Sequence, residues 1–137
     1  MTRPEWMPTE AAGVDVLPAG QWWDAVRLPL GRGMDLVAAM GTSSGQAPAI
    51  RNLVTITLTW LVPVGSAAGW PGWPGWPGWV EIVTTGRRLA VPAAELVHEP
   101  WDGGPAVSWH SRPAGDALTD VSVLQAAVDR QMRGLIP

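Results

Sequence analysis

His98-Glu99 and Asp102 place an imidazole beside two carboxylates in a Pro/Gly-rich loop that also holds Trp101. Such a set can shuttle a proton or contribute to a metal site. His110 lies between Trp109 and Ser111, with Arg112 close behind, and offers a second imidazole. Trp23 and Arg27 are four residues apart; on a helix, an indole and a guanidinium at that spacing meet as a cation–π pair. The preferred reading is an amphipathic helix that docks one indole in the core. Thr42-Ser43-Ser44-Gly45 supplies hydroxyls without triad spacing around them. No HExxH, nucleophile elbow or P-loop links these groups. The expectation is therefore no catalytic residues, no metal site and no cofactor, with the histidines as ordinary loop or strand residues.

The most regular feature is Gly69-Trp70-Pro71-Gly72-Trp73-Pro74-Gly75-Trp76-Pro77-Gly78-Trp79, a triplet repeat carrying four of the ten tryptophans. Pro and Gly forbid helix here and discourage strand. In polyproline II the indoles share one face about 9 Å apart, wider than the roughly 4.5–7 Å of stacked rings. A proline or a flat group from a partner would fit the gaps. The other form is a series of type II turns with Pro at i+1 and Gly at i+2; the extended form is preferred. Two readings of the ladder stay open. One is a tolerated loop expansion, because closure entropy grows slowly with length. The other is a binding surface, or a ligand for an aromatic groove. The candidate ligand- or partner-binding residues are Trp70, Trp73, Trp76, Trp79, Trp23, Arg27, Trp101 and His110.

Composition narrows the classes. A chain of 137 residues fits one domain with one real core. A net charge of −3, with Arg87-Arg88 as the basic couplet, argues against a general binder of nucleic acid or membrane surface. The absence of cysteine excludes disulfides and thiolate chemistry. Lys, Phe and Tyr are also missing and Asn52 is the single asparagine, the signature of G/C-rich codons. No signal-peptide or membrane-length apolar run is present, so a cytoplasmic location is expected.

The elements that must position these residues are read from periodicity. Residues 1–15 read as a flexible, Pro-rich arm. Residues 21–28 and 34–40 read as two short helices, the second with apolar positions 34, 37, 38 and 40 buried. Residues 53–62 alternate as a strand with Val54, Ile56, Leu58 and Trp60 inward and the threonines outward. Residues 80–84 and 87–91 flank Thr85-Gly86 as a hairpin, and 107–111 form a further strand. A last helix spans 121–132, capped by Thr119 or Asp120, with Val121, Leu124, Ala127 and Val128 as its apolar stripe. The expected fold is α+β: one antiparallel sheet of about four strands covered by the two N-terminal helices and the C-terminal one. The domain would run over 16–134 with the ladder, 69–79, as an inserted loop.

From about residue 16 to 130 the chain resembles a group of small actinobacterial proteins that mostly have no assigned function. The matching pieces are Pro18-Ala19-Gly20-Gln21-Trp22-Trp23-Asp24-Ala25-Val26-Arg27, Trp60-Leu61-Val62-Pro63 with Gly65-Ser66-Ala67-Ala68-Gly69-Trp70, Val91-Pro92, and Ser108-Trp109 leading to Leu118-Thr119-Asp120. In that group the stretch after Gly69-Trp70 is short, which implies that the further Trp-Pro-Gly units are an insertion. The same order distantly resembles the second half of the primase/polymerase-like domain of actinobacterial replication proteins, an archaeo-eukaryotic-primase-type α+β fold. That family uses a carboxylate pair for two metal ions and a histidine after a glycine-rich strand. Here Asp35 has no DxD-type partner and no Gly-x-His element precedes Trp60, so the resemblance implies a reduced domain without polymerase activity. The leading expectation is a non-enzymatic binding or regulatory module that uses protein contacts, with another protein or a second copy as partner. The alternatives are a primase-like domain that binds nucleotide or single-stranded nucleic acid, and a binding protein or enzyme for a flat hydrophobic metabolite.

Overall fold

A computed structural model describes residues 4–40, 48–70, 78–97, 105–115 and 117–132. The fold is α+β. Strands β1 (Val14–Pro18) and β2 (Asp24–Pro29) are followed by helix α1 (Leu30–Met40), then β3 (Ala49–Asn52), β4 (Thr57–Val62), β5 (Glu81–Val83), β6 (Arg88–Pro92), β7 (Val107–Ser111) and helix α2 (Val121–Met132). Five strands form an antiparallel sheet in the order β5-β2-β4-β3-β7, and β1 pairs with β6 in a separate two-stranded ribbon. The expected single sheet is thus two sheets, and two helices take the place of the expected three.

Both faces of the five-stranded sheet are buried. On one face Val26, Leu28, Leu58, Trp60 and Val62 pack against Leu36 and Met40 of α1 and Leu124, Ala127 and Val128 of α2. On the other, Ala25, Ile50, Leu61, Val83 and Trp109 meet Leu89 and Val91 of the ribbon together with Trp6, Met7 and Trp23. This two-sided burial explains the first correction, because residues 21–28 are not a helix. Asp24, Ala25, Val26 and Leu28 are all buried on a central strand, so they show no alternation. A short continuous apolar run of that kind cannot be told from a buried helix by its period. Within 1–15, Trp6 and Met7 lie in the core and β1 begins at Val14.

The second correction concerns residues 53–62. The strand begins at Thr57, and residues 53–56 form the turn that joins it to β3, with Asn52 paired to Thr57. The Asn52 Oδ1 accepts the N–H groups of Val54 and Thr55, so the side chain closes an Asx turn. Val54 and Ile56, expected inward, are 76% and 63% exposed, while Thr59, expected outward, is buried. Ile56 adopts φ 56°, a left-handed conformation that is costly for a β-branched residue. The conformation has a use. The Ile56 carbonyl accepts the Leu30 N–H at 2.9 Å, capping α1 from a different element.

The third correction is the hairpin at Thr85-Gly86. A tight turn exists, with the Arg87 N–H donating to the Thr84 carbonyl and Gly86 at φ 92°. Its two arms join different sheets: β5 pairs with β2, and β6 with β1. The chain changes sheets a second time beside it, at Gly20, where φ is 94°. A Cβ on Gly20 would meet the Thr85 Oγ1 and lie 2.9 Å from the Thr85 Cα. β1–β2 and β5–β6 are therefore two bent strands folded around one corner, and glycine lets the bends touch.

The helices follow their patterns more closely. α1 starts at Leu30, earlier than expected, and takes Gly31 and Gly33 into its first turn. A Cβ on Gly33 would sit 2.7 Å from the Leu58 Cβ, so glycine sets the close approach of helix to sheet. The buried face is Gly33, Leu36 and Met40, and Ala38 is exposed, so the expected stripe is rotated. α2 matches the expected span, with Leu124, Ala127 and Val128 buried. Asp120 caps it, accepting both the N–H and the hydroxyl of Ser122. Those bonds hold its carboxyl below the ordinary value of 3.8.

Candidate functional site

The expected site residues separate into core and surface. Trp23 is fully buried, edge-on to Trp6 at 6.2 Å between ring centroids, and Trp6 in turn contacts Trp109 at 6.3 Å. The Trp109 indole N–H donates to the Pro92 carbonyl at 2.9 Å, tying β7 to β6. Trp70 is buried in the helix-side core. These indoles belong to the scaffold. His110 is half-buried on β7. Trp73, Trp76, Trp101 and the cluster of His98, Glu99 and Asp102 lie outside the described residues. Among the described residues no group of three or more His, Asp or Glu comes together as a metal site.

Trp23 docks in the core, as preferred, though from outside a helix, and it forms no cation–π pair with Arg27 because on β2 the arginine turns to the neighbouring strand. The register opposes Arg27 to Glu81, and the Arg27 Nε and Nη2 both reach Glu81 Oε1 at 2.7 Å. Arg87 Nη2 takes the other oxygen, Oε2, at 2.9 Å. Partial burial works against ionisation of Glu81, but the hydrogen bonds and charges of Arg87 and Arg27 outweigh it and hold the carboxyl below 4.5. The folded protein thus binds this proton less tightly than the unfolded chain. The ion pairs contribute their full stability above pH 4.5 and lose it as pH falls through the folded value. Thermal midpoints between about pH 5 and pH 3 should fall less steeply for Glu81→Gln than for the native chain. Parallel curves would remove Glu81 from the acid response.

Arg27 and Glu81 border a surface groove of about 410 Å³. Its floor is Arg27-Leu28-Pro29, one wall is the turn at 55–57, and the other is the segment 78–81. Trp79, the last indole of the ladder, is half-buried in that second wall. Arg32 of α1 stands over the Trp79 ring, 4.5 Å from its centroid. This arginine–indole contact joins residues that sequence spacing does not connect. Thr55 and Thr57 share a hydroxyl–hydroxyl bond of 2.8 Å on the opposite wall. Sequence reading missed Glu81, Arg32 and Ile56. Glu81 needed the strand register, and Ile56 was hidden by its place in a strand-like alternation.

Some backbone groups of the edge strands are engaged locally. The Ile82 carbonyl of β5 receives Arg87 Nη1 at 3.5 Å, and the Trp109 N–H of β7 is taken by Leu96. On β1 the Val16 N–H is taken by the Asp15 carboxylate, and Pro18 has no N–H to offer. Among the described residues no helix is long and apolar enough to cross a membrane. Compared with known proteins, the chain matches no protein-family model, and no curated protein or solved structure is significantly similar to it.

Proposed function

We propose that this protein is a non-enzymatic binding or regulatory module that works through protein–protein contacts, with the groove as its contact surface and the Trp-Pro-Gly segment as its neighbour. One observation carries the reading. Leu53, Val54 and Ile56, all exposed large apolar residues, crowd onto a single turn, and Ile56 of that turn lines the groove. A cluster of apolar side chains at a polar-rimmed surface marks a contact site more often than a scatter of single residues does. The partner is another protein or a second copy of the chain.

Ile56→Asn separates contact from folding. Asparagine accepts the left-handed backbone, so the variant should gain about 1 kcal/mol of stability and roughly 3–5 °C in thermal midpoint. The same change removes an apolar contact residue. Self-association by sedimentation and partner recovery by in-cell crosslinking should both weaken, and more so in Val54→Asp. The reading fails if neither variant changes association or recovery.

A second reading, a reduced primase/polymerase-like domain that binds nucleotide or single strand, draws on the stacking of Arg32 on Trp79, with Arg27 lining the same groove. Indole faces and arginines are what single-strand sites use. It requires a salt-sensitive quench of tryptophan fluorescence by an oligonucleotide, and its absence at low salt would exclude it.

A further inference from the structure

Strand β1 pairs with β6 and with no other strand among the described residues, so one edge of the ribbon is open. The bonds at both ends of this pairing fix which backbone groups face outward. The Ala93 N–H donates to the Gly13 carbonyl, and the Ala19 N–H donates to the Arg87 carbonyl. Residues 13, 15, 17 and 19 therefore direct their backbone groups at β6, and Val14, Val16 and Pro18 direct theirs away. The open edge carries three carbonyls and two N–H groups, because proline has none. Side chains alternate in the same way. Leu17 lies opposite Leu89 and packs against the core, which puts Val14, Val16 and Pro18 on the outer face, and all three are exposed.

We infer that this edge is a docking surface for a second copy of the chain, the two β1 strands pairing antiparallel about a two-fold axis beside Val16. Symmetry and the alternation of backbone groups leave few registers. An axis at Asp15 sets two carboxylates face to face. An axis at Val14 calls on the Ala12 N–H, which the Thr9 carbonyl and hydroxyl already hold. An axis at Leu17 or Pro18 runs the pairing into Gly20, where a φ of 94° turns the chain away. With the axis at Val16, each Val16 N–H meets the Val16 carbonyl of the other copy, and each Val14 N–H meets a Pro18 carbonyl. Every outward donor is then matched, and proline stands where the edge has no donor to give. Val14, Val16 and Pro18 of both copies merge into one apolar face, and Asp15 lies opposite Leu17. In the single chain the Asp15 Oδ1 holds the Val16 N–H at 2.9 Å. That bond opens before the strands pair, so Asp15 restrains the association.

Sedimentation of the full chain over a concentration series reads the association, and NMR on a mixture of carbon-13-labelled and unlabelled chains reads the register. An intermolecular contact should join the Asp15 Hα of one copy to the Leu17 Hα of the other, the pair this register brings closest. Asp15→Ala frees the Val16 N–H and should tighten the dimer about tenfold. Val16→Pro removes an N–H that the ribbon does not use and should weaken the dimer about tenfold or more. Val16→Glu, a change at an exposed side chain, sets like charges across the axis and should weaken it too, less so at high salt. Far-UV circular dichroism should be unchanged in the alanine and glutamate variants. An Asp15→Ala protein that stays monomeric at every concentration overturns the inference, as does a dimer that Val16→Glu leaves intact. An intermolecular contact between other strands overturns it as well. If Val54→Asp abolishes association while both Val16 variants keep it, the groove joins the copies and the strand edge does not; the reverse result upholds the edge and counts against the groove.

Discussion

Replacing Trp109 with alanine should lower the unfolding free energy by about 3–5 kcal/mol, the range for emptying a core aromatic site. Such a loss is a large part of the roughly 5–15 kcal/mol that holds a typical domain together. Trp109 is 1% exposed, contacts Trp6, and donates its indole N–H to the Pro92 carbonyl. Alanine removes the packing and orphans that carbonyl at once. Phenylalanine isolates the second effect. Trp109→Phe keeps most of the ring but loses the bond, while Trp23→Phe removes an indole N–H with no acceptor among the described residues. Trp109→Phe should therefore cost more than Trp23→Phe, by about 1 kcal/mol. Urea denaturation followed by far-UV circular dichroism reads both without relying on tryptophan emission. Equal costs would mean that the bond to Pro92 adds nothing beyond the ring.

Gly20→Ala should cost roughly 2–4 kcal/mol, a large effect for one methyl group. Two causes add. At φ 94° an alanine is strained whatever its surroundings, and its Cβ would lie 2.9 Å from the Thr85 Cα. The neighbour is backbone, so it cannot swing aside. Thr85→Ala, an exposed change, should be within about 0.5 kcal/mol of the native chain by itself. In the double variant it should recover the hydroxyl contact but not the strain or the backbone approach. A Gly20→Ala protein as stable as the native one would show that the corner is looser than the structure describes.

The parts of the fold that sequence reading found are those in which local pattern and tertiary environment agree. α2 has one wet face and one dry face, so its stripe at Leu124, Ala127 and Val128 was legible, as was the Asp120 cap. The errors lie where the two diverge. β2 is buried on both faces and lost its alternation. The turn at 53–56 kept a strand-like alternation while exposing its apolar members, a departure the fold uses to cap α1 and build the groove. Pairing of Arg27 with Glu81, across 54 residues of sequence, depends on a register that no local signal encodes. Of the candidate residues, Arg27 and Trp79 meet at the groove, whereas Trp23 and Trp70 are in the core. Indole identity alone could not sort them, because tryptophan serves packing and recognition equally well.

The anchoring of the ladder has an evolutionary consequence. Trp70 on its near side and Val80 on its far side are buried in the same helix-side core, with Trp79 packed against it. When one cluster grips a connection at both ends, doubling the length between costs only about 0.6 kcal/mol in closure entropy. The domain can then gain or lose triplets there without renegotiating its folding. Each new unit also enters next to a groove that already has charge and apolar surface. A lineage carrying this scaffold has a place to try out recognition sequences at little risk, and foreign peptides could be grafted into the same position.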